Sequence, residues 1–255
     1  MRSNLLFCLS GILFIHLSCK KSSNEIKINK DPLYEGLIAY YPFNGNARDE
    51  SGNNYHLTSK GAALTADRFG RTSNAYNFNG TDALLEIPKY TKATSISNFT
   101  FSLWIKPQDN HLANLIAFNS DSTKAMTHSM QLFKTNGYYE SYNRIAKCVT
   151  SNGLISCKGL LVHQKINDPT GRLTHIVFGQ SNYTPFLYVD GQKLIVTGGG
   201  MEWTPISLAD GGYIGTETDR NGFYNGFYKG DLDDIRIYDR GITGSEVQQL
   251  STEKP

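Results

Sequence analysis

The pattern that most restricts this chain is a succession of short runs with period-two or dense β-branched and aromatic character. They include Leu37–Phe43, Ala83–Ile87, Phe99–Lys106, Leu115–Phe118, Gln131–Phe133, Tyr138–Ala146, Leu160–Gln164, Leu173–Gly179, Phe186–Val189, Lys193–Val196 and Gly212–Ile214. Asn79-Gly80, Asn136-Gly137, Asp190-Gly191 and Gly198-Gly199-Gly200 punctuate them. No long amphipathic helix lies between, and no internal repeat is detectable. Many short strands with such turns make a sandwich or a barrel. The expected class is all-β.

The first residues read as an export signal. Arg2 precedes a nearly continuous apolar run, Leu5–Leu17. That run is shorter than the ~18 residues a membrane helix needs, and it suits a signal core. Cys19 follows at the cleavage point, so the segment resembles a bacterial lipoprotein signal, with His16-Leu17-Ser18 in place of the usual Leu-Ala-Gly. A plain secretory signal is the alternative. The expected plan is a signal over 1–18, a tether over 19–32 lipidated at Cys19, and one domain over 33–255. The protein is then exported, as an outer-membrane or cell-surface lipoprotein that meets the membrane only through its lipid. About 225 residues remain past the tether, ample for one sandwich. A net charge of +2 gives no basis for binding nucleic acid.

Cys148 and Cys157 flank Asn152-Gly153, the strongest short hairpin signal. Centring a two-residue turn there sets Ser151 opposite Leu154 and Cys148 opposite Cys157. Such a non-hydrogen-bonded pair has Cα atoms about 4.5 Å apart, within the disulfide range. The expected feature is a hairpin closed by a Cys148–Cys157 disulfide, favoured by an oxidising compartment.

Two end segments and two central ones carry a family resemblance. Gly36–Thr58 (GLIAYYPFNGNARDESGNNYHLT) and Gly230–Leu250 (GDLDDIRIYDRGITGSEVQQL) are similar to the opening and closing strands of laminin-G, pentraxin and other concanavalin A-like domains. NFTFSLWIKP (Asn98–Pro107) and THIVFGQSNYTPFLYVDGQKL (Thr174–Leu194) are similar to their central strands. The resemblance covers about residues 36–250. It implies a two-sheet antiparallel jelly-roll sandwich with first and last strands adjacent, and the cysteine hairpin as an insertion.

The resemblance also implies calcium. GTETD (Gly215–Asp219) is similar to a pentraxin calcium loop: Glu217 and Asp219 would supply carboxylates, Thr218 a carbonyl, and Asp121 a further ligand. An ordinary polar loop is the alternative. A second arrangement joins Asp49 to Asp233 or Asp234 around a structural calcium. Against it, Asp49 caps a turn and Asp234 pairs with Arg236 or Arg48. Histidines lack zinc spacing.

Catalysis has little support. A second glucanase carboxylate is missing after Glu217–Asp219, and neither a clustered Arg-Gln-His-Tyr lyase set nor a Gly-x-Ser-x-Gly elbow is found. The expected role is a non-catalytic, surface-displayed carbohydrate-binding module, with a polysaccharide or glycan as partner. Tyr142 and Arg144 share one face of their strand, and Phe223 and Tyr224 stand in an aromatic loop. These four are the expected sugar contacts. Burial of the aromatic stripe in the core is the alternative. A protein-interaction or adhesion domain, with a surface protein as partner, is the rival function; a glycoside hydrolase or polysaccharide lyase ranks below both.

Overall fold

The computed structural model describes residues 31–92, 95–109, 113–119, 126–135, 138–151, 154–167, 169–195, 205–218 and 224–254. For 119, 126–135, 138–151 and 154–166 it describes the backbone alone. The export signal and Cys19 therefore lie outside the described residues, as do Asp121, Asp219 and Phe223.

Asp31 accepts a hydrogen bond from the Leu33 N–H at 3.0 Å and opens a 3-10 turn over Pro32–Tyr34. The strands follow in chain order: β1 Leu37–Tyr41, β2 Thr58–Lys60, β3 Ala63–Thr65, β4 Ala75–Asn79, β5 Leu84–Ile87, β6 Ser95–Ile96, β7 Phe99–Pro107, β8 Ala113–Asn119, β9 Met126–Thr135 and β10 Tyr138–Ser151. Then come β11 Leu154–Ile166, β12 Thr174–Ser181, β13 Thr184–Val189, β14 Gln192–Leu194, β15 Ile206–Ser207, β16 Gly212–Ile214, β17 Glu217–Thr218, β18 Tyr224–Asn225 and β19 Lys229–Tyr238. Helix α1, Gly244–Thr252, closes the domain behind a capping box between Thr243 and Glu246.

Two antiparallel sheets form a sandwich. The first runs β14-β13-β12-β7-β19-β4-β3, with β1 also paired to β19. The second runs β11-β10-β9-β8-β16-β5-β2. First and last strands are adjacent, as the resemblance implies: Ala39 pairs with Ile237 and Tyr41 with Ile235.

Strand alternation builds the core. Phe99, Phe101, Leu103 and Ile105 of β7, Ile176 and Phe178 of β12, and Leu232, Ile235 and Ile237 of β19 face inward. They meet Leu85, Ile87, Ile116, Phe118 and Ile214 from the second sheet. All are buried.

The turns obey their chemistry. Asp190 and Gly191 have φ of 49° and 78°, the positive pair a type I′ hairpin demands, and they join β13 to β14. Asn182 and Tyr183 do the same between β12 and β13 at 47° and 60°. Sequence shows no Gly there, so that two-residue turn reads as a longer connection. On the second sheet the ladder pairs Ser151 with Leu154 and Cys148 with Cys157, the register expected from Asn152-Gly153. The cysteine side chains lie outside the described ones.

Candidate functional site

Each sheet has an outer face, and the two differ in chemistry. On the first, β19 carries a bulge. Its ladder to β7 shifts between Asp233 and Arg236, with Asp234 at φ 47°. The extra residue places Asp233, Asp234 and Arg236 together. Arg68 bridges the two acids, with Nη1 donating to Asp233 Oδ2 and Nη2 to Asp234 Oδ2, both at 2.8 Å. Arg236 donates to Asp234 Oδ1 at 3.0 Å and to Glu253 Oε2 at 2.6 Å, just past α1. It also donates to the Tyr40 hydroxyl at 3.1 Å. Trp104 stacks on His175 with ring centroids 4.9 Å apart, and His175 Nε2 bonds the Ser102 hydroxyl at 2.9 Å.

Burial governs the charges here. It pushes the Asp233 carboxyl up to about 6, Arg68 pulling down and the Asp234 charge adding to the rise. Burial also pulls the His175 imidazole down to about 4, so the ring is neutral at pH 7. Beside this network, α1 covers the face. Val247 and Leu250 pack with Leu33, Val177, Phe186, Tyr238 and Ile242 in a second apolar cluster. Each charged side chain of this network is ion-paired within the protein, and α1 packs over part of the face.

Asp49 is separate from this network. Its carboxylate accepts from the N–H groups of Tyr40, Ser51 and Tyr55, each at 2.9 Å, and so pins the Gly45–Asn54 loop. Asp49 thus turns its own loop while Asp234 pairs with Arg236 and Asp233 with Arg68. Among the described residues no group of three or more His, Cys, Asp or Glu is arranged to hold a metal.

The outer face of the second sheet has no described helix packed on it. Tyr213 of β16 is its centre. Gly212 makes the close approach possible: a Cβ there would lie 1.9 Å from the Ala117 carbonyl oxygen. The Tyr213 ring meets Tyr224 edge-on at 5.3 Å, and Tyr224 meets Phe227 at 6.0 Å. Burial and the Tyr224 hydroxyl push the Tyr213 phenol up to about 12. Asn114 of β8 holds this loop down, donating to the Asn225 carbonyl at 3.1 Å. Beside Tyr213 a cleft of about 270 Å³ is lined by His56, Thr58, Glu86, Lys89 and Asp210 among others. Lys60 and Glu86 form an ion pair at 2.5 Å on its flank.

The ladder extends this face toward the hairpin. Tyr213 pairs with Ala117, Ala117 with Ser129 and Ser129 with Arg144. Asn114 pairs with Gln131, and Gln131 with Tyr142. The positions of Tyr142 and Arg144 thus fall in the ladder rows of Asn114 and Tyr213, and their side chains lie outside the described ones. Tyr213 was not singled out by sequence; Phe227 stands with Tyr224 in the aromatic loop Thr218–Gly230. Tyr213 sits in a three-residue strand too short to show which neighbours it joins, and Phe227 acquires its role through the Tyr224 ring. Glu217 lies on β17 opposite Asn225.

An aromatic row beside a polar cleft can hold a flat apolar ligand surface and fix its hydroxyl groups. Solved structures share the architecture. Domain 4 of AbnA, a GH43 extracellular arabinanase from Geobacillus stearothermophilus solved with arabinotriose, is 20% identical. It matches with a TM-score of 0.60 over 85% of this chain and 98% of that one. The native heptameric SAP-like pentraxin from Limulus polyphemus is 16% identical, with a TM-score of 0.54 over 69% of this chain and 80% of its own. The binding domain of botulinum neurotoxin DC, solved with rat synaptotagmin II, is 10% identical. Its TM-score is 0.59 over 86% of this chain, which spans 52% of that one. At these identities the likeness shows the fold, which serves a domain of an enzyme and binding domains alike. No curated protein matches the sequence. A laminin-G model matches residues 78–248, more than half of the length, and the chain belongs to the concanavalin A-like lectin/glucanases superfamily.

Proposed function

We propose that the chain is a non-catalytic carbohydrate-binding module whose site is the outer face of the second sheet. One observation carries this reading: the Tyr213–Tyr224–Phe227 row beside a polar cleft, on a face that no described helix covers. Rings of this kind stack on the apolar faces of sugars. The superfamily and the arabinotriose complex of a neighbour point the same way. Calcium held by Asp121, Glu217 and Asp219 belongs to the same proposal, as do export, a lipid on Cys19 and a Cys148–Cys157 disulfide.

Affinity electrophoresis of the mature protein against plant, algal, host and microbial polysaccharides tests it, with calcium and with chelator. Retention that Tyr224→Ala weakens supports the site. Retention lost on chelation and in Glu217→Ala assigns the calcium role. Absence of retention by every polymer overturns the reading. For the hairpin, non-reducing peptide mapping should recover Cys148 and Cys157 in one linked peptide. Recovery of both as free thiols from protein isolated under oxidising conditions removes the disulfide.

A protein partner is the second reading. It is favoured by β11, a strand of 13 residues at the end of its sheet, of the kind that another chain can extend.

A further inference from the structure

The cleft beside Tyr213 sets hydrogen-bond donors and acceptors side by side. Its wall follows from alternation. Tyr55 and Leu57 are buried in the core, which turns His56 and Thr58 outward. Thr58 pairs with Glu86 and Glu86 with Tyr213, so these three stand in one row across β2, β5 and β16. Side chains directly opposite in an antiparallel ladder have Cβ atoms about 4.5–5.5 Å apart, which brings the Glu86 carboxylate beside the Tyr213 ring.

The fold holds these groups in place. His56 Nδ1 accepts the Asp49 N–H at 3.0 Å. That bond fixes the neutral tautomer with its proton on Nε2, a donor. Asp49 is itself pinned by three N–H groups. Lys60 engages Glu86 through Oε1 at 2.5 Å. A carboxylate has about four acceptor sites and an ammonium has three donors, so one bond between them uses a fraction of either. The Glu86 side chain is 33% exposed and that of Lys60 54%, so both can reach a ligand. An acceptor next to a donor suits two hydroxyl groups on adjacent ring carbons. One gives its proton to the acid, and the oxygen of the other accepts from the amine. The charges also balance. Among the described residues, Glu86, Asp210 and Lys89 line the cleft, and Lys60 stands on its flank. A ligand anion would meet acids as well as lysines.

We infer that the cleft is a subsite for one uncharged sugar unit with two adjacent free hydroxyl groups, selected by the Glu86–Lys60 pair. The unit stacks on Tyr213; Glu86 accepts from one hydroxyl, Lys60 donates to the next, and His56 Nε2 supplies a further donor. The subsite rests on the sugar-binding reading of this face.

The full chain is tested by affinity electrophoresis. Xylan, galactomannan, linear arabinan and dextran carry adjacent free hydroxyls on their backbone units. Laminarin is also uncharged, but its linkage leaves no two neighbouring hydroxyls free along the chain. Polygalacturonate and its methyl ester share one diol and differ in charge. The expected result is retention by at least one of the first four, at least about tenfold weaker retention by laminarin, and no preference for polygalacturonate over its ester. Glu86→Ala should weaken retention about tenfold and Lys60→Met about threefold, each removing a charge-assisted hydrogen bond. Exposed ion pairs add little to stability, so both variants should melt with the parent, which separates a lost contact from a lost fold. Unchanged retention in Glu86→Ala, equal retention by laminarin, or a preference for polygalacturonate overturns the subsite and leaves sugar binding standing on the aromatic row. No retention by these polymers or by the wider panel overturns both.

Discussion

The two outer faces of one sandwich are opposites in how they treat polar groups. On the first sheet, Arg68, Asp233, Asp234, Arg236 and Glu253 are ion-paired with one another, and α1 packs beside them. On the second, Tyr224 is 39% exposed, and a cleft with acidic, basic and imidazole groups opens beside its neighbour Tyr213. Buried charge that is fully paired fixes structure; exposed rings with nearby polar groups remain available to a ligand. The contrast teaches that the density of charged residues is a poor guide to a site here. The richest cluster is the structural one.

The sharpest way to break this contrast is to unpair the network. Arg236→Ala leaves Asp234 and Glu253 without their shared cation, and breaking a buried pair from one side costs about 3–5 kcal/mol. Urea unfolding should show that loss, with glycan affinity unchanged for the folded fraction. Normal stability with abolished binding would reverse the roles of the two faces.

Two buried groups of the closed face give a pH test of comparable size. The folded His175 titrates near 4 against its ordinary 6.5. Between those values the unfolded chain binds a proton that the fold refuses, so this group makes stability rise with pH. The folded Asp233 titrates near 6 against 3.8. Between those values the fold keeps a proton that the unfolded chain has released, so this group makes stability fall with pH. Each displacement corresponds to up to about 3 kcal/mol, and the two slopes offset from about pH 4 to 6. Single variants uncouple them. His175→Asn should leave stability falling across that window, and Asp233→Asn should leave it rising, beneath any uniform loss from the broken Arg68 pair. Parallel pH profiles for both variants would show that neither group titrates inside the fold.

Legibility in the sequence follows the range of the interaction. Short-range features were readable. Asp190-Gly191 specifies its turn, Asn152-Gly153 specifies the Cys148–Cys157 register, and β7 alternates openly between core and outer face. The adjacency of β1 and β19 came through a resemblance at both ends. Long-range features were hidden. Arg68 sits in an irregular stretch, and its acids lie 165 and 166 residues away. Nothing in the run Leu232–Tyr238 marks Asp234 as the bulge residue, because a one-residue shift is set by the partner strands. Strand β4, Ala75–Asn79, escaped because its neighbours are β3 and the far end of the chain. Of the candidate row, Tyr224 was visible as part of an aromatic loop. Tyr213 was not, because its value comes from standing between β5 and β8.

The smallest expected effect sharpens the contrast most. Tyr224 contributes an exposed ring whose described contacts are Tyr213 and Phe227. Aromatic pairs of this geometry are worth about 0.5–1.5 kcal/mol beyond buried area. Tyr224→Ala should therefore lower the thermal transition by a few degrees at most, while weakening glycan retention about three- to tenfold. Phe186→Ala is the matched control, an aromatic deletion in the apolar cluster under α1 on the closed face. It should cost about 3–5 kcal/mol of stability and leave retention by the folded protein intact. If the control weakens binding and the tyrosine variant does not, the ligand sits against the helix face, and the open face is surface without a partner. If the pair behaves as stated, affinity and stability belong to opposite sides of the same sandwich. Variation of the Tyr213–Tyr224–Phe227 row can then retune the ligand without disturbing the fold.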